Sequence, residues 1–457
     1  MFVIYRHSLL CVFFLFFTGC AYNQLDTKIK NPSLPSNFNN NNVNIALKEN
    51  WLSNFNDKDL LDIVNIALNN NFELKQLGFD VKIKQQELIA TNSLLFPNLD
   101  FEINTSKDGE IGGSSDTTSL NASLDLSYEV DLWGKLSDSK KSANMDLLET
   151  KALYEEAKQE LISNVSLLYY KIIESNKLLD LYKKNLLTSK QSYELTLSRY
   201  KQGLSEALDT LLAKNSIYTQ ELKISNLQTT KSQAIYQLEQ LLSNYPSGKL
   251  DINKDLPLIK EKANVGIPSE LIERKASISA SWNALLSKDY TLAFTHKQRL
   301  PSLSISTSLE NIKDDGLPTL WSLATGITAP IFNAGKLKAN EQIAYYELKK
   351  AEQEYLKTVF DSLTEIETYI QEEKNLKNEY EILKTSNENA KKSLELSFNQ
   401  YLKGLIEYST VLDLQESFYN TQSSIIQMQA SIIQNSINLH KALGGDFLPK
   451  DYKEDKQ

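Results

Sequence analysis

Glycine and proline are scarce in this chain: 457 residues hold 15 and 10 of them, about half the usual share. Neither occurs in Leu136–Gln202, Leu204–Tyr245, Lys336–Lys403 or Leu405–Leu443, runs of 67, 42, 68 and 39 residues. Ordinary helices average about three turns, so such runs argue against a common globular enzyme and for very long helices. Histidine is nearly missing too. His7, His296 and His440 lie far apart without neighbouring cysteines, so no His-based metal site or catalytic triad can be assembled. The GxGxxG, GxxxxGK[ST], HExxH and GxSxG motifs do not occur, and neither an enzyme nor a cofactor or metal is expected. Positive charge is not in excess, with Lys+Arg 49 against Asp+Glu 58, which leaves no nucleic-acid footprint. Charged and hydrophobic contents of 23% and 41% are near globular norms and exclude wholesale disorder.

Cysteine occurs only as Cys11 and Cys20. Cys11 sits in the apolar run Leu9–Phe17 behind Arg6 and His7, the layout of a signal peptide too short to span as a mature helix. The run ends in Phe17-Thr18-Gly19-Cys20, which resembles the bacterial lipobox. Cys20 is therefore the expected lipidation site and residue one of the mature chain. The lipobox usually has Leu where Phe17 stands, and an ordinary secretory signal is the alternative. With its one remaining thiol acylated, the mature chain could form no intrachain disulfide. In the lipoproteins it resembles, Asp after the cysteine favours inner-membrane retention, so Ala21 implies the outer membrane. Cleavage would make the chain one unit more acidic than its formal −9. Acyl chains add roughly 0.8 kcal/mol of membrane affinity per buried CH₂, and the Asn-rich Asn31–Asn44 reads as an extended tether.

The body is written twice. Arg199-Tyr200-Lys201-Gln202-Gly203-Leu204 returns as Gln400-Tyr401-Leu402-Lys403-Gly404-Leu405, and Gly134-Lys135-Leu136 as Gly335-Lys336-Leu337, both 201 residues on. Phe96-Pro97-Asn98-Leu99 returns as Leu300-Pro301-Ser302-Leu303, 204 residues on. Three blocks in order at nearly constant offset indicate an internal duplication. Each half reads helix, Pro, two strands, Gly-Lys, long helix, Gly-Leu, long helix.

The strands are called by period-two alternation. Leu99, Phe101, Ile103 and Thr105 alternate with Asn98, Asp100, Glu102 and Asn104. Leu120, Ala122, Leu124, Leu126, Tyr128 and Val130 alternate with polar residues that include Asp125 and Glu129. Leu303, Ile305, Thr307 and Leu309 alternate with serines, and Trp321, Leu323, Thr325, Ile327 and Ala329 face small residues. Runs of this length suit tilted transmembrane strands. An apolar outer and a wet inner face predict a membrane barrel with an aqueous lumen, the alternative being a soluble half-buried sheet. Tyr128, Trp133, Trp321 and Phe332 fall near strand ends, as interfacial aromatics do. Four strands cannot close a barrel and open edges are forbidden in lipid. Eight would be a dimer and twelve a trimer, so a pore requires oligomerisation.

A 67-residue helix reaches roughly 100 Å, suited to crossing a periplasm. Val165, Ile172, Leu179, Leu186, Tyr193 and Tyr200 recur every seven residues, a coiled-coil seam. Gly203 and Gly404 suit the left-handed cap that ends a helix and mark two hairpin tips. Glu206 and Glu407 follow at the next helix starts, where the macrodipole favours acids. Asp209 and Asp413 lie further in and are candidates for a carboxylate gate favouring cations, with a solvated face the equal alternative.

A family resemblance rests on several pieces in order. They are Trp51…Phe55…Asp57…Leu60 leading to Ala67-Leu68-Asn69-Asn70-Asn71; Phe96-Pro97-Asn98-Leu99; Asp131-Leu132-Trp133-Gly134-Lys135; and Arg199 through Ser205. Gly266-Ile267-Pro268-Ser269-Glu270-Leu271-Ile272-Glu273-Arg274-Lys275, Pro330 through Lys336, and Leu443-Gly444-Gly445 complete them. Over essentially the whole mature chain this resembles the TolC-like outer membrane factors, particularly the lipidated NodT/OprM-type branch. Lys275-Ala276 and Ser409 depart from the family's usual Arg-Pro-Asp and Leu. The resemblance implies a homotrimer with a twelve-stranded β-barrel continued by a long periplasmic α-helical barrel. It also implies docking of a membrane-fusion adaptor at Gly203, Leu204, Ser205, Gly404 and Leu405, and an inner-membrane pump of the resistance-nodulation-division type.

The expected domains are a signal peptide (1–19), a lipidated tether (20–56), helices leading to the first strand pair (57–94) and strands 1–2 (95–134). The first helical hairpin (135–245), an equatorial region (246–275), a leading helix (276–299), strands 3–4 (300–332), the second hairpin (333–443) and a tail (444–457) follow. The expected function is an outer-membrane exit duct passing small molecules such as drugs. Type I protein secretion, metal efflux, or a non-conducting lipoprotein scaffold are the alternatives.

Overall fold

The computed structural model describes residues 38, 51–109, 111, 116–257, 259, 268–313 and 320–444. Cys20, with the whole expected signal peptide, lies outside them. After a 3₁₀ turn at Trp51–Phe55 come helices α1 (Lys58–Asn70) and α2 (Phe72–Ser93), strands β1 (Asn98–Gly109) and β2 (Asp116–Val130), and helices α3 (Lys135–Lys201) and α4 (Ala207–Leu241). The second round has α5 (Pro268–Arg274), α6 (Ala276–Lys297), β3 (Ser302–Lys313), β4 (Leu320–Thr328), α7 (Lys336–Leu402) and α8 (Tyr408–Ala442). The duplication is visible in the elements: α3 and α7 are each 67 residues long, α4 and α8 each 35.

Helix α3 starts where both oxygens of Asp131 accept from Leu136 N and Ser137 N at 2.9 Å, while the Ser137 hydroxyl donates at 2.6 Å. These bonds hold the Asp131 carboxyl below the usual carboxylate range against the opposing effect of burial, which is the largest single influence. At the equivalent start of α7 an amide stands instead, with Asn333 Oδ1 3.5 Å from Leu337 N. No breaker then interrupts either helix until Gly203 and Gly404.

The chain divides into two compact units. One comprises Phe79–Ala152 and Ser279–Thr358 among the described residues. Its sheet has the order β1-β2-β3-β4, every pair antiparallel. Below the sheet α6 meets α3 through hydroxyls: Ser142 Oγ lies 3.0 Å from both Ser287 Oγ and Thr291 Oγ1. Lys297 Nζ reaches Asp138 at 2.5 Å.

The other unit comprises, among the described residues, those within Leu34–Gly78, Leu153–Ile278 and Val359–Gln457. Its main core gathers Trp51, Leu52, Leu60, Val64, Val165, Tyr169, Ile172, Ile173, Leu238 and Ile437, all fully or almost fully buried. The expected seam of α3 is buried at Val165, Ile172 and Leu179 but half-buried at Leu186 and Tyr193 and exposed at Tyr200. Nearer the tip the buried positions of α3 are instead Asn185, Ser189 and Thr196. The heptad drifts off the inward face because this stretch packs on small polar groups. Gln415 donates to Tyr419 Oη at 2.8 Å, and that hydroxyl donates to Asn185 O at 3.4 Å.

Candidate functional site

Three places carry the features on which a duct would depend. The first is the sheet, whose register sorts its side chains into two faces. Phe101 pairs Leu124, Leu124 pairs Leu309 and Leu309 pairs Trp321, a single apolar row across all four strands. Leu99, Leu126, Thr307 and Leu323 form the next row, and Tyr128, Ile305 and Thr325 another. The first row is exposed throughout, Phe101 at 67% and Trp321 at 75%, while Leu126, Tyr128, Ile305 and Thr307 in the next two are half-buried. An exposed face this apolar and this continuous is what lipid covers.

The opposite face carries Asp100, Glu102, Asp125, Glu129 and Glu310 among serines and asparagines. Asp100 stands directly opposite Asp125. Such like-charge pairs are unfavourable, and each has a local donor, Asn98 Nδ2 to Asp100 and Ser123 Oγ to Asp125, both at 2.6 Å. Asn121 donates to Glu310. Of the other strand-end aromatics, Trp133 turns its indole N–H to Pro301 O at 2.7 Å, and Phe332 is fully outward at 89% exposure. Among the described residues, strands β1 and β4 each present an unpaired edge.

The second place is the pair of hairpin tips. Gly203 and Gly404 adopt φ of 70° and 71°. At the first tip Leu204 N donates to Arg199 O at 2.8 Å and Gly203 N to Tyr200 O at 3.0 Å. At the second, Leu405 N donates to Gln400 O at 3.0 Å and Gly404 N to Tyr401 O at 2.9 Å. Both are complete Schellman motifs closing the last carbonyls of α3 and α7. Leu204 and Leu405 are left outward. Glu206 and Glu407 occupy the N-cap positions of α4 and α8 with no side-chain capping bond. Ser205 Oγ turns back to Thr196 O at 3.3 Å.

Arg199 joins the tips: its guanidinium donates to Leu402 O and Leu204 O, each at 3.4 Å, and its charge lies 5.0 Å over the Tyr401 ring. The repeat-equivalent residue is Gln400, so this tie exists on one side only. Beneath it Tyr401, Tyr408, Val411 and Ala213 form a small core. Burial pushes the Tyr408 hydroxyl up to about 12, hydrogen bonds to Thr196 and Ser192 opposing. Asp209 is half-buried in the first turn of α4, whereas Asp413 is exposed in the second turn of α8. Among the described residues neither carboxylate has an ion-pair or hydrogen-bond partner.

The third place, which motif reading touched only as pieces of a resemblance, is the clasp around Asp57. Asp57 caps α1 by accepting from Asp59 N at 3.1 Å and Leu60 N at 3.4 Å. The same carboxylate accepts from Tyr169 Oη at 2.8 Å and from Lys254 Nζ at 2.6 Å. Lys254 also pairs with Asp59 at 2.8 Å. Burial acts upward on the Asp57 carboxyl and is the largest single influence, but these bonds together hold it below its usual range. Beside it His440 stacks on Trp51 with ring centroids 4.9 Å apart. His440 Nδ1 donates to Ser436 O at 2.7 Å, and burial pushes the imidazole below its ordinary pKa. Arg274 Nε donates to Leu443 O at 2.9 Å, and a Cβ on Gly444 would meet the Lys275 backbone at 3.1 Å. That accounts for the Leu-Gly pair at the end of α8.

The profile described as "Outer membrane efflux protein" matches residues 63–244 and 267–445. The cation efflux system protein CusC of Escherichia coli is 24% identical over 449 residues, covering 94% of this chain and 96% of CusC. The antibiotic efflux pump outer membrane protein ArpC of Pseudomonas putida is 24% identical over 433 residues, covering 90% and 88%. A CusC crystal structure superposes with a TM-score of 0.84 at 22% identity, over 91% of this chain and 98% of that one.

Proposed function

The chain belongs to the outer membrane efflux protein family, and from that premise we propose that three copies close its four-stranded sheets into a twelve-stranded barrel. The chain is an outer-membrane efflux channel, resident in the outer membrane and reaching into the periplasm. The observation that carries the barrel reading is the register that puts Phe101, Leu124, Leu309 and Trp321 in one exposed row and the carboxylates on the other face. The unpaired edges of β1 and β4 support closure by further copies, since lipid tolerates no open edge. The twin Schellman tips with outward Leu204 and Leu405 support docking of a periplasmic adaptor, behind which an inner-membrane pump supplies the cargo. Cys20 anchors the chain by lipid, labelling of which Cys20→Ser should abolish. The duct itself performs no chemistry. Tip opening on adaptor binding, followed by diffusion, moves small molecules, drugs first among them. Cations, as for CusC, are the second reading.

Planar-bilayer recording tests this. The purified chain should conduct, and Arg199→Ala, which frees the tie to Leu402, should raise the open fraction. Asp209→Asn with Asp413→Asn should shift cation preference; unchanged selectivity removes both from the gate. Protein that inserts yet conducts in neither the wild-type nor the Arg199→Ala form would instead mark a non-conducting scaffold.

A further inference from the structure

The body of the second unit carries a groove of about 750 Å³, within the usual range of ligand sites. Phe72, Tyr236 and Tyr245 supply its aromatic surface, and Gln237, Gln240 and Asn244 its amides. No Asp, Glu, Lys or Arg lines it, although such residues make up 23% of the chain. The rings are outward, Phe72 at 67% and Tyr245 at 85% exposure.

The backbone at each ring is set by a separate local device. Phe72 opens α2 directly after Asn71, whose Oδ1 accepts from Leu74 N at 2.9 Å and whose Nδ2 donates to Leu241 O at 3.0 Å. Tyr236 is backed by Gly248, whose φ is +70° and whose absent Cβ would lie 2.8 Å from the ring. Tyr245 follows a helix end made with Ser243 at φ 57° and precedes Pro246. Asn244 N donates to Glu239 O and Ser247 N to Tyr245 O, at 2.8 and 2.7 Å. Glu239, next to Gln240 in the chain, does not line the groove and its carboxylate is engaged, accepting from Ser247 Oγ at 2.7 Å and Gly248 N at 2.8 Å. Aromatic side chains have only two χ angles to order on binding, and among the described residues the side-chain amides of Gln237, Gln240 and Asn244 have no hydrogen-bond partner.

We propose that this groove binds a neutral polysaccharide strand bearing N-acetamido groups, the glycan of the cell wall that a periplasmic body must pass. Sugar rings present C–H faces to aromatic rings, and acetamido groups match side-chain amides as both donors and acceptors. An uncharged lining suits an uncharged strand and gives no purchase to an acidic or basic partner. A second copy of this chain is the competing occupant.

The test uses purified full-length protein and protein-free sacculi in a sedimentation assay. The wild type should co-sediment, and Phe72→Ala with Tyr245→Ala should lower apparent affinity about ten-fold or more, the loss expected for truncated aromatic anchors. A β-1,4-linked tetramer of N-acetylglucosamine should release the bound protein, and the matching glucose tetramer should not. Equal release by both would overturn acetamido recognition. Equal sedimentation of wild type and variant, or no sedimentation of either, would overturn the site. Loss of the oligomer in the variant, read by light scattering, would assign the groove to a second copy instead. None of these outcomes depends on conductance, so the duct reading stands or falls separately.

Discussion

Replacing Asp57 with alanine removes three interactions at once, and the structure permits an estimate of each. Losing a helix N-cap costs about 1 kcal/mol. The Tyr169 hydroxyl, on a side chain with no exposed surface, loses its acceptor, which costs about 1–3 kcal/mol for a buried donor. The Lys254 pair adds little, because Lys254 is 35% exposed and keeps Asp59 at 2.8 Å. The sum is about 3 kcal/mol, so amide exchange through local opening of α1 should quicken roughly a hundred-fold. Hydrogen-exchange mass spectrometry on peptides spanning Lys58–Asn70 reads this directly. Asp57→Asn isolates the charge, since asparagine caps equally well and still offers Tyr169 an acceptor. It should cost well under half as much. Equal exchange in the two variants, or an unchanged rate in Asp57→Ala, would refute the assignment of Asp57 as the clasp. The pH dependence has a definite sign. A carboxyl held below its ordinary value contributes stability that is full above the unfolded pKa of about 3.9 and is lost only as pH falls below it.

Leu124→Arg places a charge in the middle of the exposed apolar row and should cost about 2–4 kcal/mol in the bilayer, seen as impaired assembly of the proposed trimer by light scattering; normal assembly would argue against a lipid-facing row. His440 has a depressed pKa, so its contribution is full above the unfolded value of about 6.5 and declines below it. Thermal unfolding at pH 7.5 and 5.0 should therefore show a larger acid loss for wild type than for His440→Leu, and equal losses would remove His440 from the acid response. Gly404→Ala meets no atom within 4 Å and should cost only the left-handed backbone term, about 1–2 kcal/mol. Gly248→Ala adds a collision with Tyr236 and should melt lower than Gly404→Ala; the reverse order would contradict the described packing.

Much of the fold was legible because long helices are announced by what they omit. Between Gly134 and Gly203 nothing interrupts α3, and the same absence repeats for α7. The two faces of the strands were equally plain, since side chains alternate with a period of two whatever the strand pairs with. At the tips, Gly203 and Gly404 stood out because few other residues tolerate a positive φ.

The remainder depended on partners brought from far along the chain. Asp57 meets Tyr169 across 112 residues and Lys254 across 197, and no local period encodes such pairs. Likewise the row from Phe101 to Trp321 requires β2 to lie beside β3, although α3, α4, α5 and α6 intervene. The polar packing that displaced the heptad seam near the tip, and the convergence of Phe72 with Tyr236 and Tyr245, follow from helices meeting in space. The sequence by itself determined where the long helices turn at Gly203 and Gly404 and which strand face is apolar, because breakers and alternation act over a few residues. Tertiary structure alone decided which faces meet, because contacts between distant segments are selected by packing over the whole chain.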